Sequence, residues 1–401
     1  MNEIRIGVIG LRRGMSFVST YKNLEGIKIA AVAESNPETL AKAKESLPAD
    51  TRVFDNFEEF IDSGLDAVVL ANYFTEHGKC AVAALNRGIS VLSETNAAPT
   101  LGECVQLVEA AEKSSAKYML AANVPHMFGC KELDRIYKGG SFGRVLYAEA
   151  EYLHPSDPRV NSGLAPGDTH WRRWLPRTYY NMHDLGTLMS ITGTIPKKVN
   201  AKAVFAPDIV AKAKSPKQTG DMVSIILNEM DNGAIFRTTA CGSIGPMGKW
   251  FRLSCENGTL ETVRGDQDSI KFDYNPWAKP EGSELSGIYD ARPTVISEAQ
   301  KAAGHGGSDY SLNMMFLDFL KGKVEPFFDV YRATVLAAAG IMAWRSVLDN
   351  GNGYDVPNFR DPAVRDLYRN DFLTPFPKAD GTGISLPCSS KPFDYEEYHK
   401  E

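Results

Sequence analysis

The sequence predicts an α/β protein with two parts: an N-terminal doubly wound parallel sheet, then a C-terminal α/β domain with a large, mainly antiparallel sheet. Three observations predict it. Glu3–Glu34 reads as a buried strand, a Gly turn, a helix and a second strand ending in an acid. Apolar runs and helix-like stretches then alternate to about residue 138. Beyond Gly139-Gly140 the pattern changes to strand-like segments joined by Asn-Gly turns. Short apolar runs between helices are the signature of parallel strands buried on both faces. Strands linked by Asn-Gly read as antiparallel hairpins.

The first strand ends at Gly10, followed by Leu11-Arg12-Arg13-Gly14, and Ile27–Ala33 forms the second strand. Asn36-Pro37 opens a helix to about Ser46. Leu65–Ala71 is a buried strand, Thr75–Arg87 a helix, Gly88–Glu94 a strand, Leu101–Ser114 a helix and Lys117–Ala122 the last strand of the set. In the second part, Val145–His154, Lys198–Ala206, Asp221–Met230, Ala234–Cys241, Phe251–Glu256 and Thr259–Val263 read as strands. Asp231-Asn232-Gly233 and Glu256-Asn257-Gly258 are the hairpin turns between them. Asp309–Lys321 and Val330–Asp349 read as helices. The tail from about Pro357 is rich in Pro, Gly and Asp, and is expected to wrap a surface or a neighbouring subunit. The expected domains are residues 1–124 and 125–401.

The opening βαβ unit has the chemistry of a dinucleotide site. Gly at the turn admits a pyrophosphate, the helix start offers free N–H groups, and an acid after the second strand accepts from a ribose diol. The G-x-G-x-x-G spacing is imperfect: Arg12 and Met15 stand where glycines would, and Gly14 falls one residue early. Arg12 can face a diphosphate and add charge. The competing reading is a parallel-sheet turn with no ligand. Glu34 followed by Ser35, where an Arg would serve a 2′-phosphate, favours NAD over NADP. Arg12 and Arg13 are the two residues that argue the other way. Ligands of such a sheet belong at the C-terminal strand ends, near Gly10, Glu34, Asn72, Glu94 and Asn123.

Composition narrows the class. The 401 residues suffice for two or three domains, and 43% hydrophobic with 23% charged residues is ordinary for globular proteins. A net charge of −6 argues against a broad nucleic-acid surface. No apolar run reaches the roughly 20 residues of a membrane span, and no signal-peptide pattern precedes the first strand. Cys80, Cys104, Cys130, Cys241, Cys255 and Cys388 are scattered without a C-x-x-C pair, which points to reduced thiols and a cytoplasmic setting. His126, His154 and His399 lack Cys or carboxylate partners at metal-ligand spacing, so no metal site is expected.

The N-terminal unit, Leu70-Ala-Asn-Tyr-Phe-Thr-Glu-His77 and Ser93-Glu94-Thr95-Asn96 together resemble the Gfo/Idh/MocA oxidoreductases over nearly the whole chain. That resemblance implies a Rossmann domain, an α/β domain whose open sheet covers the nicotinamide, and a homodimer or homotetramer. The usual E-K-P turn here reads Glu94-Thr95-Asn96, so the family's acid/base lysine is absent. Thr178-Tyr-Tyr-Asn-Met-His-Asp-Leu-Gly186 and Gly304-His305-Gly-Gly307-Ser-Asp309 resemble the Y-x-x-H-x-x-G and G-H-G-G-x-D segments of the NAD-dependent α-N-acetylgalactosaminidases, glycoside hydrolase family 109. Asp329-Val-Tyr331 and Val356-Pro-Asn-Phe359 match later landmarks. Those relatives oxidise the sugar at C3, remove the C2 proton, expel the C1 substituent, add water and reduce again. They are an exception to the two-carboxylate scheme of glycosidases. Where they carry Glu-Asn at the end of the sixth strand, this chain has Ala122-Asn123. Two readings stay open: the protein does without that glutamate, or Ala122 is an engineered replacement that disables turnover.

The resemblance makes Tyr180 and His183 the catalytic pair, an imidazole that titrates near neutrality beside a phenol that relays a proton. Their spacing of three would put them on one face of a helix. The bland alternative is a core tyrosine and a structural histidine. Gly10, Arg12, Arg13, Gly14, Glu34, Ser35, Asn72, His77, Glu94 and Asn123 are the expected cofactor residues. His77 is expected to serve loop geometry and cofactor binding, and Glu94 to hold the nicotinamide ribose or carboxamide. Trp171, Arg172 and His305 are candidates for substrate. His170-Trp171-Arg172-Arg173-Trp174 reads equally as a sugar grip or as a packed loop with outward arginines. The leading expectation is an NAD-dependent enzyme that cleaves a glycoside through a 3-keto intermediate. Net oxidation to a 3-keto sugar and a silent NAD-binding sensor are the alternatives. The sugar, its anomer and its aglycone are not legible.

Overall fold

The computed structural model describes residues 3–155, 165–207, 219–242 and 244–392. The first sheet has six parallel strands: β1 Ile4–Ile9, β2 Ile27–Ala33, β3 Arg52–Phe54, β4 Ala67–Leu70, β5 Ser90–Ser93 and β6 Tyr118–Leu120. Their order is β3-β2-β1-β4-β5-β6, the doubly wound arrangement. The order reverses between β1 and β4, so the crevice at their C-terminal ends lies beside Gly10 and Asn72. Strand β4 is wholly buried, as expected of a strand covered on both faces. Asn36 caps the helix Pro37–Lys44 by accepting from the Thr39 N–H, and Thr100 caps Leu101–Lys113 in the same way through Glu103.

The second sheet has nine strands: β7 Val145–Leu153, β8 Pro196–Phe205, β9 Asp221–Met230, β10 Ile235–Gly242, β11 Gly248–Cys255, β12 Gly258–Val263, β13 Asp266–Tyr274, β14 Ser286–Asp290 and β15 Tyr354–Asp355. Their order is β14-β13-β12-β11-β7-β10-β9-β8-β15. Every neighbouring pair is antiparallel except β7 and β10. Asp231-Asn232-Gly233 turns β9 into β10, and Glu256-Asn257-Gly258 turns β11 into β12. Gly258 leaves no room for a side chain, since a Cβ there would lie 2.2 Å from the Asp273 carbonyl oxygen.

The chain divides into two compact units. One holds residues 1–127, 294–334 and 359–370; the other holds 128–293, 335–358 and 371–401. Contiguous domains 1–124 and 125–401 were the expectation, and the first crossing falls close to that boundary. Residues 294–334 and 359–370 depart from it. The helix Ser308–Leu320 places Leu312, Phe316, Leu317 and Phe319 in the same core as Ile6, Val8, Phe17 and Tyr21. The helix Pro362–Tyr368, in the tail, pairs Arg365 with Glu112, and Arg369 lies 2.8 Å from Glu109. Burial of apolar faces, which sequence distance does not report, decides this membership.

His399 lies outside the described residues, as does the Cys241 side chain. Cys80, Cys104, Cys130, Cys255 and Cys388 are free thiols. Among the described residues no group of three or more His, Cys, Asp or Glu is arranged to hold a metal, and no helix is long and apolar enough to cross a membrane.

Candidate functional site

In the first unit, Gly10 sits at φ 84° at the start of the helix Leu11–Tyr21. Only glycine fits, because a Cβ would lie 2.4 Å from the Ala71 carbonyl oxygen. Gly14 makes the helix hug β1, where a Cβ would meet Val8 at 2.7 Å. Its position one residue early still does the packing job of the third fingerprint glycine. Glu34 follows β2 and aims its carboxylate at the helix start: Oε2 accepts from the Leu11 N–H at 2.8 Å and Oε1 from the Asn36 N–H at 2.9 Å. Arg12 and Ser35 are exposed at this turn.

Arg13 takes a different course. Its Nε donates to Glu94 Oε1 at 2.6 Å, and its Nη1 and Nη2 donate to Asp309 at 2.6 and 3.0 Å. Asp309, 1% exposed, also accepts from Asn123 Nδ2 at 3.3 Å and pairs with His305 Nδ1 at 3.0 Å. Burial opposes its ionisation, but the bonds from His305 and Arg13 and the Arg13 charge outweigh it and hold the carboxyl well below the usual range. Asp309 therefore collects the Gly-turn helix, the end of β6 and the 304–307 loop on one carboxylate. His305 has φ 55°, and Gly306 and Gly307 follow at 67° and 88°. A non-glycine residue in the left-handed region is uncommon, and here Asp309 anchors it.

His77 is buried, with Nδ1 3.2 Å from the Asn96 carbonyl oxygen and Nε2 3.2 Å from that of Asn72. Burial lowers its pKa against the opposing pull of these carbonyls and of Glu94, and the ring bridges the loops after β4 and β5. Asn72 and Asn123 each leave a buried Oδ1 with no hydrogen-bond partner. Unpaired buried acceptors are costly, and these two stand at C-terminal strand ends of a doubly wound sheet, where ligands of such sheets bind. The Gly10 cradle, the helix start beside it and these acceptors fit a dinucleotide. Ala122, at the end of β6, is buried.

In the second unit, Tyr180 and His183 do not share a helix face. Pro176 opens a single 3₁₀ turn, Arg177–Tyr179; Tyr180 has φ −94° and ψ 54°, and the next helix begins at Leu185. The Asn181 side chain bonds the Leu336 carbonyl at 3.0 Å and holds this bend. The rings nevertheless meet edge-on, with centroids 5.1 Å apart. Tyr152, at the end of β7, completes the cluster: it stacks on Tyr180 at 6.0 Å and lies 4.5 Å from His183. Sequence reasoning missed Tyr152, whose only signal is an aromatic at an inward position of an alternating strand.

Trp171–Trp174 is one helical turn capped by His170. Arg172 stacks on Trp171 at 4.4 Å, whereas Arg173 is buried and donates to the Ala165 and Gly167 carbonyls. The reading of two outward arginines thus fails for Arg173, whose guanidinium holds the loop.

Asp184 is fully buried beside His183, and neither carboxylate oxygen has a hydrogen-bond partner. Burial pushes its pKa up to about 7, against a weaker pull from nearby backbone N–H groups. The folded value lies above the unfolded one. Stability tied to this group is therefore full at pH below about 4 and is lost as pH rises through about 7. Asp184→Asn should raise Tm relative to the parent, with a gap that widens between pH 5 and pH 8 in thermal melts.

The comparisons with known proteins agree with this geometry. A model described as the oxidoreductase family, NAD-binding Rossmann fold (Gfo/Idh/MocA), matches residues 4–122, and one described as the glycosyl hydrolase 109 C-terminal domain matches residues 180–364. The chain joins a Gfo/Idh/MocA NAD-binding domain to a glycosyl hydrolase 109 C-terminal domain. It is 25% identical to a glycosyl hydrolase family 109 protein of Solibacter usitatus over 395 residues, 89% of this chain and 88% of the relative. It is 22% identical to an alpha-N-acetylgalactosaminidase of Shewanella oneidensis over 400 residues, 90% and 85% of the two chains. Among solved structures, a levoglucosan dehydrogenase with NADH and L-sorbose matches with TM-score 0.72 at 17% identity, over 89% of this chain and 100% of that one. An Agrobacterium radiobacter oxidoreductase with NAD+, L-tartaric acid and magnesium matches with TM-score 0.72 at 18% identity, over 88% and 99%. These structural likenesses show the fold. NAD is the cofactor of this Gfo/Idh/MocA oxidoreductase.

Glu34 is expected to set which nicotinamide cofactor binds tighter. Its carboxylate would repel a 2′-phosphate, and the exposed Ser35 offers no cation. NADH should bind at least about tenfold tighter than NADPH, roughly 1.4 kcal/mol, in fluorescence titrations. Equal affinities would mean that Arg12 outweighs Glu34.

Proposed function

We propose that the enzyme acts on a glycoside by oxidation at C3, elimination of the C1 substituent, addition of water and reduction back, with no net redox change. The observation that carries this reading is the Tyr152–Tyr180–His183 cluster. Gly10, the helix start, Glu34, Asn72 and Asn123 would hold NAD, which supplies a hydride acceptor and later a donor. Tyr180 and His183 take the C3 hydroxyl proton as that carbon is oxidised, and return it on reduction. The ketone acidifies the C2 proton; its loss expels the C1 substituent as an alcohol, and water then adds at C1 as C2 regains a proton. His305, Trp171 and Arg172 are proposed to orient the sugar.

A second reading, net oxidation to a 3-keto glycoside, is favoured by Ala122, which offers no carboxylate for the C2 proton. Incubation with NAD and a panel of aryl glycosides separates the two, following absorbance at the NADH wavelength and released phenol together. Phenol without NADH supports the internal cycle, and NADH without phenol supports the dehydrogenase. Tight NADH binding with neither product would leave a sensor. Ala122→Glu should be run in parallel, because gain of phenol release would assign the missing carboxylate.

We also propose a cytoplasmic homodimer or homotetramer. Ile225 and Leu227 on β9 are 42% and 46% exposed, and Val204 on β8 and Ile235 on β10 are exposed on the same face. Contiguous exposed apolar side chains on a sheet face mark an association surface. Light scattering at micromolar concentration should give a mass well above the 44.0 kDa of one chain. A value equal to it would rule association out.

A further inference from the structure

The lysine that the family places after its strand-end glutamate is replaced here by Thr95. Another lysine faces the aromatic cluster of the second unit. The register of β7 and β11 pairs Tyr152 with Lys249, and directly paired residues share a face of the sheet. Lys249 Nζ lies 5.7 Å from the Tyr152 ring centroid, within cation–π reach. The neighbouring arginines have carboxylate partners: Arg237 and Arg252 share Glu149, and Arg264 lies against Glu151. Lys249 is half-buried, and among the described residues it has no ion pair and no hydrogen bond.

We propose that Lys249 is a positioning residue whose ammonium acts through Tyr152 to favour negative charge in the Tyr152–Tyr180–His183 cluster. The proposal rests on the reading of Tyr180 and His183 as the proton-transfer pair. A fixed cation beside a phenol favours its ionised form, and in a partly desolvated place that influence is larger than in water. Proton removal from a sugar hydroxyl and from the carbon beside a ketone both pass through anionic species, which a preorganised cation stabilises. The groups facing this pair are His154 just after β7, Tyr180 and His183 on the 176–184 bend, Cys130 on the helix Phe128–Lys138 and Asp268 on β13. Burial pushes the Cys130 thiol up and raises the Asp268 carboxyl, and Asp268 is the carboxylate whose charge acts on Lys249. Burial also lowers the pKa of Lys249 itself.

The test uses full-length protein labelled with 13C at the tyrosine ζ carbons, with Tyr152→Phe identifying the Tyr152 signal. Lys249→Met should raise the pH at which Tyr152 ionises by about one unit, while Lys249→Arg keeps the parent value. With a glycoside that the enzyme turns over, Lys249→Met should lower kcat about tenfold, leave KM within twofold and shift the pH profile by the same unit. Lys249→Gln repeats the comparison if the Met variant fails to fold. A Tyr152 titration unmoved by loss of Lys249 overturns the proposal, as does a moved titration with unchanged kcat. The titration needs no sugar. If no glycoside is turned over, the functional reading fails separately, and the titration still decides whether Lys249 acts on Tyr152.

Discussion

His183→Ala should lower kcat by about 10²–10⁴-fold while NADH affinity stays within about twofold. The size follows from what the substitution removes: an imidazole, the side-chain type best suited to proton exchange at physiological pH. The selectivity follows from where it lies. The Gly10 turn, Glu34 and the unpaired amide oxygens of Asn72 and Asn123 belong to the first unit, whereas His183 belongs to the second. Tyr180→Phe should show a smaller loss of the same kind, because it deletes a relay and keeps the ring that packs against His183. Measurements are best made in the parent and in the Ala122→Glu background, so that a turnover block at position 122 does not hide the effect. Retention of near-full kcat, or loss of NADH binding by a folded variant, would remove His183 from the chemistry.

Asp309→Ala should be the most destabilising single change at the candidate site, by about 3 kcal/mol at pH 7. The carboxylate is deeply buried and neutralises Arg13, whose side chain is 27% exposed. Removing it strands part of that charge, although Glu94 remains as a second partner, so the cost falls at the low end for broken buried pairs. The pH dependence has a definite sign. Because the folded pKa of Asp309 is depressed, its contribution is complete above the unfolded carboxylate value near pH 4 and fades as pH falls through the folded value. Denaturant melts should therefore show the full gap between variant and parent at pH 7 and a narrowing gap below about pH 4. A difference under about 1 kcal/mol at pH 7 would show that Glu94 alone satisfies Arg13.

The contrast between Glu34 and Asp309 explains how far the sequence could be read. Glu34 acts within one βαβ unit, where local spacing dictates geometry, and its position at the helix start was legible from the strand that precedes it. Asp309 meets Arg13 across 296 residues, and no local pattern announces that pairing. It was visible only as the last letter of a Gly-rich segment. The long strands β9 and β10 were legible through alternation and their Asn-Gly turn. Strand β3, three residues long, and the edge strand β14 were not, since both are too short or too polar to show a period. The helix Pro362–Tyr368 was lost in a tail rich in Pro and Gly, although Asp361 and Pro362 form an ordinary helix start. Tyr180 and His183 came from resemblance, and the helical reading of their spacing was wrong because Pro176 and Asn181 impose a bend. Tyr152 and Lys249 required the register of β7 and β11, which hairpin turns alone could not supply.

The return of Ser308–Leu320 to the core of the first unit has a consequence for synthesis. The first sheet is complete at Leu120, but the Phe316 and Phe319 side chains that share a core with Phe17 and Tyr21 are made roughly 200 residues later. At ordinary translation rates that gap is on the order of ten to forty seconds. During it the nascent nucleotide-binding sheet presents an uncovered apolar flank to water or to a chaperone. A ribosome stalled before residue 308 would hold an incomplete half-protein, and truncation at residue 124 should give an aggregating fragment instead of a minimal cofactor-binding module.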